Sequence, residues 1–110
     1  MMRFVEYKLP NAAAHVITVS SSAGTLESFI DTAAGSSSSL PTDLDYCIIA
    51  AEDGNLRYLA DGNTPTAGAG VVIWNGEKKE LVGVPVKDVR LIRKDGSDVT
   101  VSVRVGWARK

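Results

Sequence analysis

The segment Val99-Thr100-Val101-Ser102-Val103-Arg104-Val105 constrains the fold more than any other, because valines and polar residues alternate in it without a break. Successive side chains of an extended strand point to opposite faces, so this pattern builds one dry face and one wet face. A helix would scatter the same valines around its whole circumference. The segment is a strand that covers a core, and a core covered on one side needs further strands opposite.

Those strands are marked by what separates them. Asp53-Gly54-Asn55, Asp61-Gly62-Asn63, Asn75-Gly76 and Asp95-Gly96 are tight-turn sequences, and the runs between them are short and rich in Val, Ile, Tyr and Trp. Three hairpins are expected on this basis. Val89–Arg93 would pair with Val99–Val105 across Asp95-Gly96, Val71–Trp74 with Glu80–Val82 across Asn75-Gly76, and Tyr46–Ala51 with Leu56–Ala60 across Glu52–Asn55. His15–Ser20 reads as another strand, and Phe4, Val5 and Tyr7 as a short first one ended by Pro10. With 110 residues, 45% hydrophobic and 23% charged, the chain has the size and composition of one globular domain. The expected architecture is all-β, an antiparallel β-sandwich with Ig-like or jelly-roll-like connections and about seven to eight strands. Residues 14–110 would form that domain, and residues 1–13 an N-terminal strand or a docking arm.

One segment departs from the β rhythm. Leu26, Phe29, Ile30 and Ala33 recur at helical spacing, with Thr25 placed as a cap and Gly35 just past the end. A helix of about two turns fits, and so does an irregular loop anchored by the same side chains, since a helix this short is marginal by itself. Ser36–Ser39 then reads as a flexible connection within the domain.

Several function classes find no support. Twelve basic against thirteen acidic side chains leave a net charge of −1, so no long-range field draws in nucleic acid or an anionic membrane. No apolar stretch is long enough to span a bilayer. The start Met1–Glu6 lacks the apolar run of a signal peptide, so synthesis and folding in a cytoplasm are expected. The single histidine, His15, and the single cysteine, Cys47, fall short of a zinc ligand set. Cys47 lies in the apolar run Tyr46–Ala51 and reads as a buried small hydrophobe. Gly68-Ala69-Gly70 precedes a strand, not a helix, and makes no phosphate loop. No serine stands in the context of an activated nucleophile. The sequence therefore points to no enzyme, no cofactor and no metal. Asp53, Asn55, Asp61 and Asn63 offer oxygen atoms of the kind calcium takes, but without the spaced ligands of a calcium loop, and tight turns want the same residues. Tyr58, Trp74 and Trp107, with Tyr46 and Arg57 nearby, are candidates for a sugar-binding aromatic patch or for core and interface packing.

The stretch Leu56-Arg57-Tyr58-Leu59-Ala60-Asp61-Gly62-Asn63-Thr64-Pro65-Thr66-Ala67-Gly68-Ala69-Gly70 resembles a signature of small bacteriophage virion-associated structural proteins. In these a strand ends in Arg plus an aromatic, Asp-Gly-x-x-Pro-Thr-Ala follows, and a glycine precedes the next strand. Thr32–Gly35, Leu40-Pro41, Val89–Arg93 and Val99–Val105 are similar to the flanking segments, so the likeness covers residues 14 to 108. The chain departs from the pattern at Gly106-Trp107-Ala108, where a tyrosine pair is usual, and residues 1–13 have no counterpart. The resemblance implies a capsid decoration or cement protein, or a small head–tail component. It would be made in the bacterial cytoplasm, reside in the virion, and assemble with copies of itself and with capsid or head–tail proteins. Nucleic acid and membrane are not among the implied partners, and no catalytic residues carry over. Asp61, Gly62, Asn63, Thr64, Pro65 and Thr66 become a candidate assembly loop, stiffened by the Asp-Gly bend, the fixed φ of proline and local threonine hydrogen bonds. The same string resembles Ig-like domains attached to chitin- and hexosamine-cleaving enzymes, which implies instead a carbohydrate-binding module.

Overall fold

The computed structural model describes residues 14–36 and 40–108. The strands run β1 His15–Val19, β2 Gly24–Thr25, β3 Tyr46–Ala51, β4 Leu56–Leu59, β5 Val71–Ile73, β6 Lys78–Val82, β7 Arg90–Arg93 and β8 Val99–Gly106, with one α-helix, α1 Leu26–Ala34. A single turn of 3₁₀ helix at Val86–Asp88 leads into β7. They form two four-stranded antiparallel sheets, β1-β8-β3-β6 and β2-β7-β4-β5, so the chain is the antiparallel β-sandwich that the alternating pattern predicts. The expected strand at Phe4–Tyr7, the arm at 1–13 and most of the serine run lie outside the described residues.

The pairing follows one rule. β1 pairs with β8, β2 with β7, β3 with β6 and β4 with β5. The chain is thus one long antiparallel ribbon, doubled back at the β4–β5 loop and rolled so that successive segments fall in alternate sheets. Closure of the roll adds the pairs β3·β8 and β4·β7. This is jelly-roll connectivity.

The rolling corrects all three expected hairpins. Each of the turns at 52–55, 75–76 and 95–96 is present, but each carries the chain from one sheet to the other instead of joining neighbours. The reason lies in β8, whose edges are filled by β1 and β3, so β7 finds no place beside it and pairs with β2 and β4. The Asp and Asn side chains of these turns then bond to other turns and to β8. Asn55 Nδ2 donates to Asp95 Oδ2 at 2.8 Å, the Asn75 N–H to Asn55 Oδ1 at 2.7 Å, and the Thr100 N–H to Asp53 Oδ1 at 2.7 Å. One end of the roll is stitched together in this way.

The segment left open between helix and loop is helical. Thr25 Oγ1 accepts the Ser28 N–H at 3.1 Å, and Gly35, at φ 74°, donates its N–H to the Asp31 carbonyl at 2.8 Å. Leu26, Phe29 and Ile30 are buried, while Ala33 is exposed, so the apolar stripe stops a turn early. The helix packs against β1 and β2 and closes one open side of the sandwich. Between the sheets lie Ile17, Val19, Ile49, Leu56, Ile73, Leu91 and the four valines of β8, and no polar or charged side chain is buried with them among the described residues. Cys47 is there too, fully buried, and desolvation pushes its thiol up to about 12. Replacing Thr25 by Ala removes the cap and should lower the unfolding free energy by about 1 kcal/mol, measured by urea denaturation.

Candidate functional site

The loop between β4 and β5, residues 60–70, is the point where the ribbon doubles back, and it contains every residue of the candidate assembly loop. Its first bend is an Asx turn. The Asp61 carboxylate accepts the Asn63 N–H and the Asn63 side-chain amide, both at 3.0 Å. These bonds favour the ionised form, the backbone one most, and hold the Asp61 carboxyl below the usual aspartate range. Gly62 takes φ 85° and donates its N–H to the Asp88 carbonyl at 3.1 Å, tying the loop to the segment before β7.

The second half of the loop is a smaller hairpin folded back on the sheet. Thr66 and Ala69 exchange backbone hydrogen bonds of 2.9 and 3.1 Å, leaving Ala67 and Gly68 at an exposed tip. Pro65 is buried beneath them, where its fixed φ and apolar ring anchor the bend. Gly70 has φ 133°, and a Cβ there would lie 3.1 Å from the Tyr58 carbonyl oxygen and 3.3 Å from Pro65 Cβ. Both the conformation and the close approach call for glycine.

Arg57 holds this arrangement together. From mid-β4 its Nε donates to the Ala67 carbonyl and its Nη1 to the Gly70 carbonyl, each at 2.8 Å. A planar guanidinium is the side chain that can grip two carbonyls at once, and each bond to a charged group is worth about 1.5–3 kcal/mol. Neighbouring Arg90 reaches Thr64 Oγ1 at 3.4 Å, and its Nε is buried with no hydrogen-bond partner among the described residues. The clamp was not legible from the motif alone. An arginine in mid-strand, followed after ten residues by a small-residue loop, is the only signal it leaves.

The aromatic candidates do not form a patch. Tyr58 points into the core and is 6% exposed. Trp107 packs partly against the core, and its Nε1 donates to Asp43 Oδ1 at 3.1 Å. Trp74 is half exposed, with the Lys94 ammonium 5.4 Å above its ring. It follows β5 beside Ala51, where β3 ends, whereas Trp107 follows Gly106, the partner of Tyr46, where β3 begins. The two indoles therefore belong to opposite ends of the roll. Asp53 and Asn55 likewise sit at the end opposite Asp61 and Asn63, where Asn55 ties its turn to the other two and Asp53 ties it to the Thr100 N–H of β8. No group of three or more His, Cys, Asp or Glu residues placed to hold a metal occurs among the described residues. A surface cleft lined by Glu27, Leu40, Pro41, Leu44, Val86 and Lys87 has a volume of about 40 Å³, which admits little more than water.

No protein-family model matches the chain, and no curated protein or solved structure matches it.

Two expectations follow from the clamp and the Asx turn. Arg57→Ala should destabilise the fold by about 2 kcal/mol and open residues 61–70 to limited proteolysis, with Arg57→Lys restoring little because an ammonium lacks the fork. Because the Asp61 pKa is lowered in the folded chain, its turn should persist through the ordinary aspartate range and loosen only as pH falls further. The Asn63 amide resonance, followed by NMR titration, should shift below the midpoint of an unperturbed aspartate.

Proposed function

We propose that this chain is a non-enzymatic bacteriophage structural protein, a capsid decoration or cement subunit or a small head–tail component, acting through protein–protein assembly. The observation that carries the proposal is the tip loop. Most of its side chains are exposed, yet its backbone is fixed by Arg57, Pro65, the Asx turn and the tie to Asp88. A surface ordered before docking loses little entropy on binding, which favours a contact repeated many times on a symmetric particle. The interior of the roll is filled with apolar side chains, so its working surface is the outside. Jelly rolls serve many functions, and the fold adds only compatibility.

Trp74 favours a second reading, a carbohydrate-binding module. A half-exposed indole beside Asn75 is a platform on which a sugar ring can stack.

Light scattering coupled to size exclusion tests the first reading directly. The full chain should form a closed homo-oligomer, and Thr66→Arg at the tip should weaken association by about tenfold or more, roughly 1.4 kcal/mol, with unfolding midpoint unchanged. A chain that stays monomeric and binds no capsid or head–tail protein overturns assembly as the function. Glycan binding that disappears in Trp74→Ala would establish the second reading.

A further inference from the structure

Arg57 and Arg90 are neighbours on the outer face of the β2-β7-β4-β5 sheet. Leu56, Tyr58 and Leu91 point into the core, so the residues alternating with them point out. Arg57 lies opposite Ile92 and Arg90 opposite Leu59, which makes the two arginines a diagonal pair with Cβ atoms about 7 Å apart. Neither forms an ion pair with a described acid, although Arg93 and Lys94, farther along, hold Asp98 and Asp95.

Their hydrogen bonding is unequal. Arg57 grips the Ala67 and Gly70 carbonyls through Nε and Nη1, which leaves its Nη2 without a described acceptor. Arg90 has a single long bond, Nη1 to Thr64 Oγ1 at 3.4 Å, and its Nε is buried without an acceptor. A guanidinium held this weakly, with most of its donors unmatched, loses little by turning to a better acceptor. Of its donors only Nε is both buried and unmatched, so Nη2 is reached from solvent beside the exposed Thr64.

The chemistry that fits is a single negative charge on a planar group. A carboxylate takes two parallel N–H bonds from one guanidinium and has lone pairs left for a second. Asp61 and Asp88 stand at the first bend of the loop, Asp61 bonded to Asn63, and Asp88 Oδ1 3.8 Å from where a Gly62 Cβ would lie. They repel a multiply charged phosphate more than a lone carboxylate, and a net charge of −1 supplies no field to draw a polyanion in.

We propose that Arg90, assisted by Arg57, receives an aspartate or glutamate side chain of the protein against which the 60–70 loop docks. This rests on the assembly reading and names what the partner presents. Docking turns the Arg90 guanidinium from Thr64 to the carboxylate and exchanges one long hydrogen bond for two short, charge-assisted ones. Such a pair fixes register and rejects a partner with a cation at that position.

The test uses the full, isotope-labelled chain and three probes at equal ionic strength: acetyl-Gly-Glu-Gly-amide, its Gln counterpart and inorganic phosphate. The Arg90 Nε–H and Thr64 amide resonances should shift saturably with the Glu peptide, at least about fivefold less with the Gln peptide, and at higher concentration with phosphate. No saturable shift, an equal response to the Gln peptide, or tighter binding of phosphate would overturn the proposal. In Arg90→Gln the Thr64 amide should cease to respond, and a response retained there overturns it equally. The titration of the unsubstituted chain depends on no variant folding. Light scattering separates the site from assembly itself. Association of the chain, with itself or with a capsid or head–tail protein, should weaken about tenfold in Arg90→Glu and by less in Arg90→Lys, which keeps the charge but not the fork. Association unaffected by Arg90→Glu overturns the carboxylate site and leaves the assembly reading standing. A monomer that binds the Glu peptide through Arg90 and no virion protein supports the site and removes that reading.

Discussion

The double pairing of β8 governs the rest of this structure. Its four valines are almost completely buried, and each such side chain contributes about 2 kcal/mol on removal from water. The strand therefore takes the middle of a sheet, with β1 along one edge and β3 along the other. Once both edges are filled, the preceding strand has to cross to the second sheet, and the turn at Asp95-Gly96 becomes a crossover. The same argument passes along the ribbon. β3 is held between β8 and β6, so β4 crosses, and β5, paired to β4, needs another crossover to reach β6.

Rolling a ribbon in this way concentrates its connections at two ends, and the ends differ. At one, three crossovers are bonded to one another through Asn55 and Asp95, and Asp53 ties the first of them to β8, so the polar side chains are largely used in holding the roll shut. At the other, the 60–70 loop is held from below by Arg57 and keeps its own outer surface free. Clamping carbonyls from beneath differs from tying the loop by its exposed side chains, because the exposed groups stay available for contact. That asymmetry makes the doubled-back loop the better candidate for a working surface.

The lateral sides of the sandwich are unequal as well. The helix closes the side flanked by β1 and β2, while β5 and β6 border the other and keep pairing away by shortness and charge.

The sequence by itself determined most of the strands, their faces and the turns between them, though not the two-residue β2. The valine alternation, the Asp-Gly and Asn-Gly turns and the burial of Cys47 are local properties, set by side-chain period and turn stereochemistry, and each was legible. The Thr25 and Gly35 signals fitted a helix and a loop alike until packing against β1 and β2 decided for the helix. Partnership was not legible. A tight turn between two apolar-faced strands reverses the chain equally well whether the strands lie side by side or face each other across a core, so 52–55, 75–76 and 95–96 read as hairpins and are crossovers. Only the competition for the edges of β8 and β3, which involves residues far apart in sequence, settles the difference. The candidate site divides along the same line. The stiffness of Asp61–Thr66 follows from its residues, while the grip of Arg57 on Ala67 and Gly70, and the separation of Trp74 from Trp107, exist only once the ribbon has rolled.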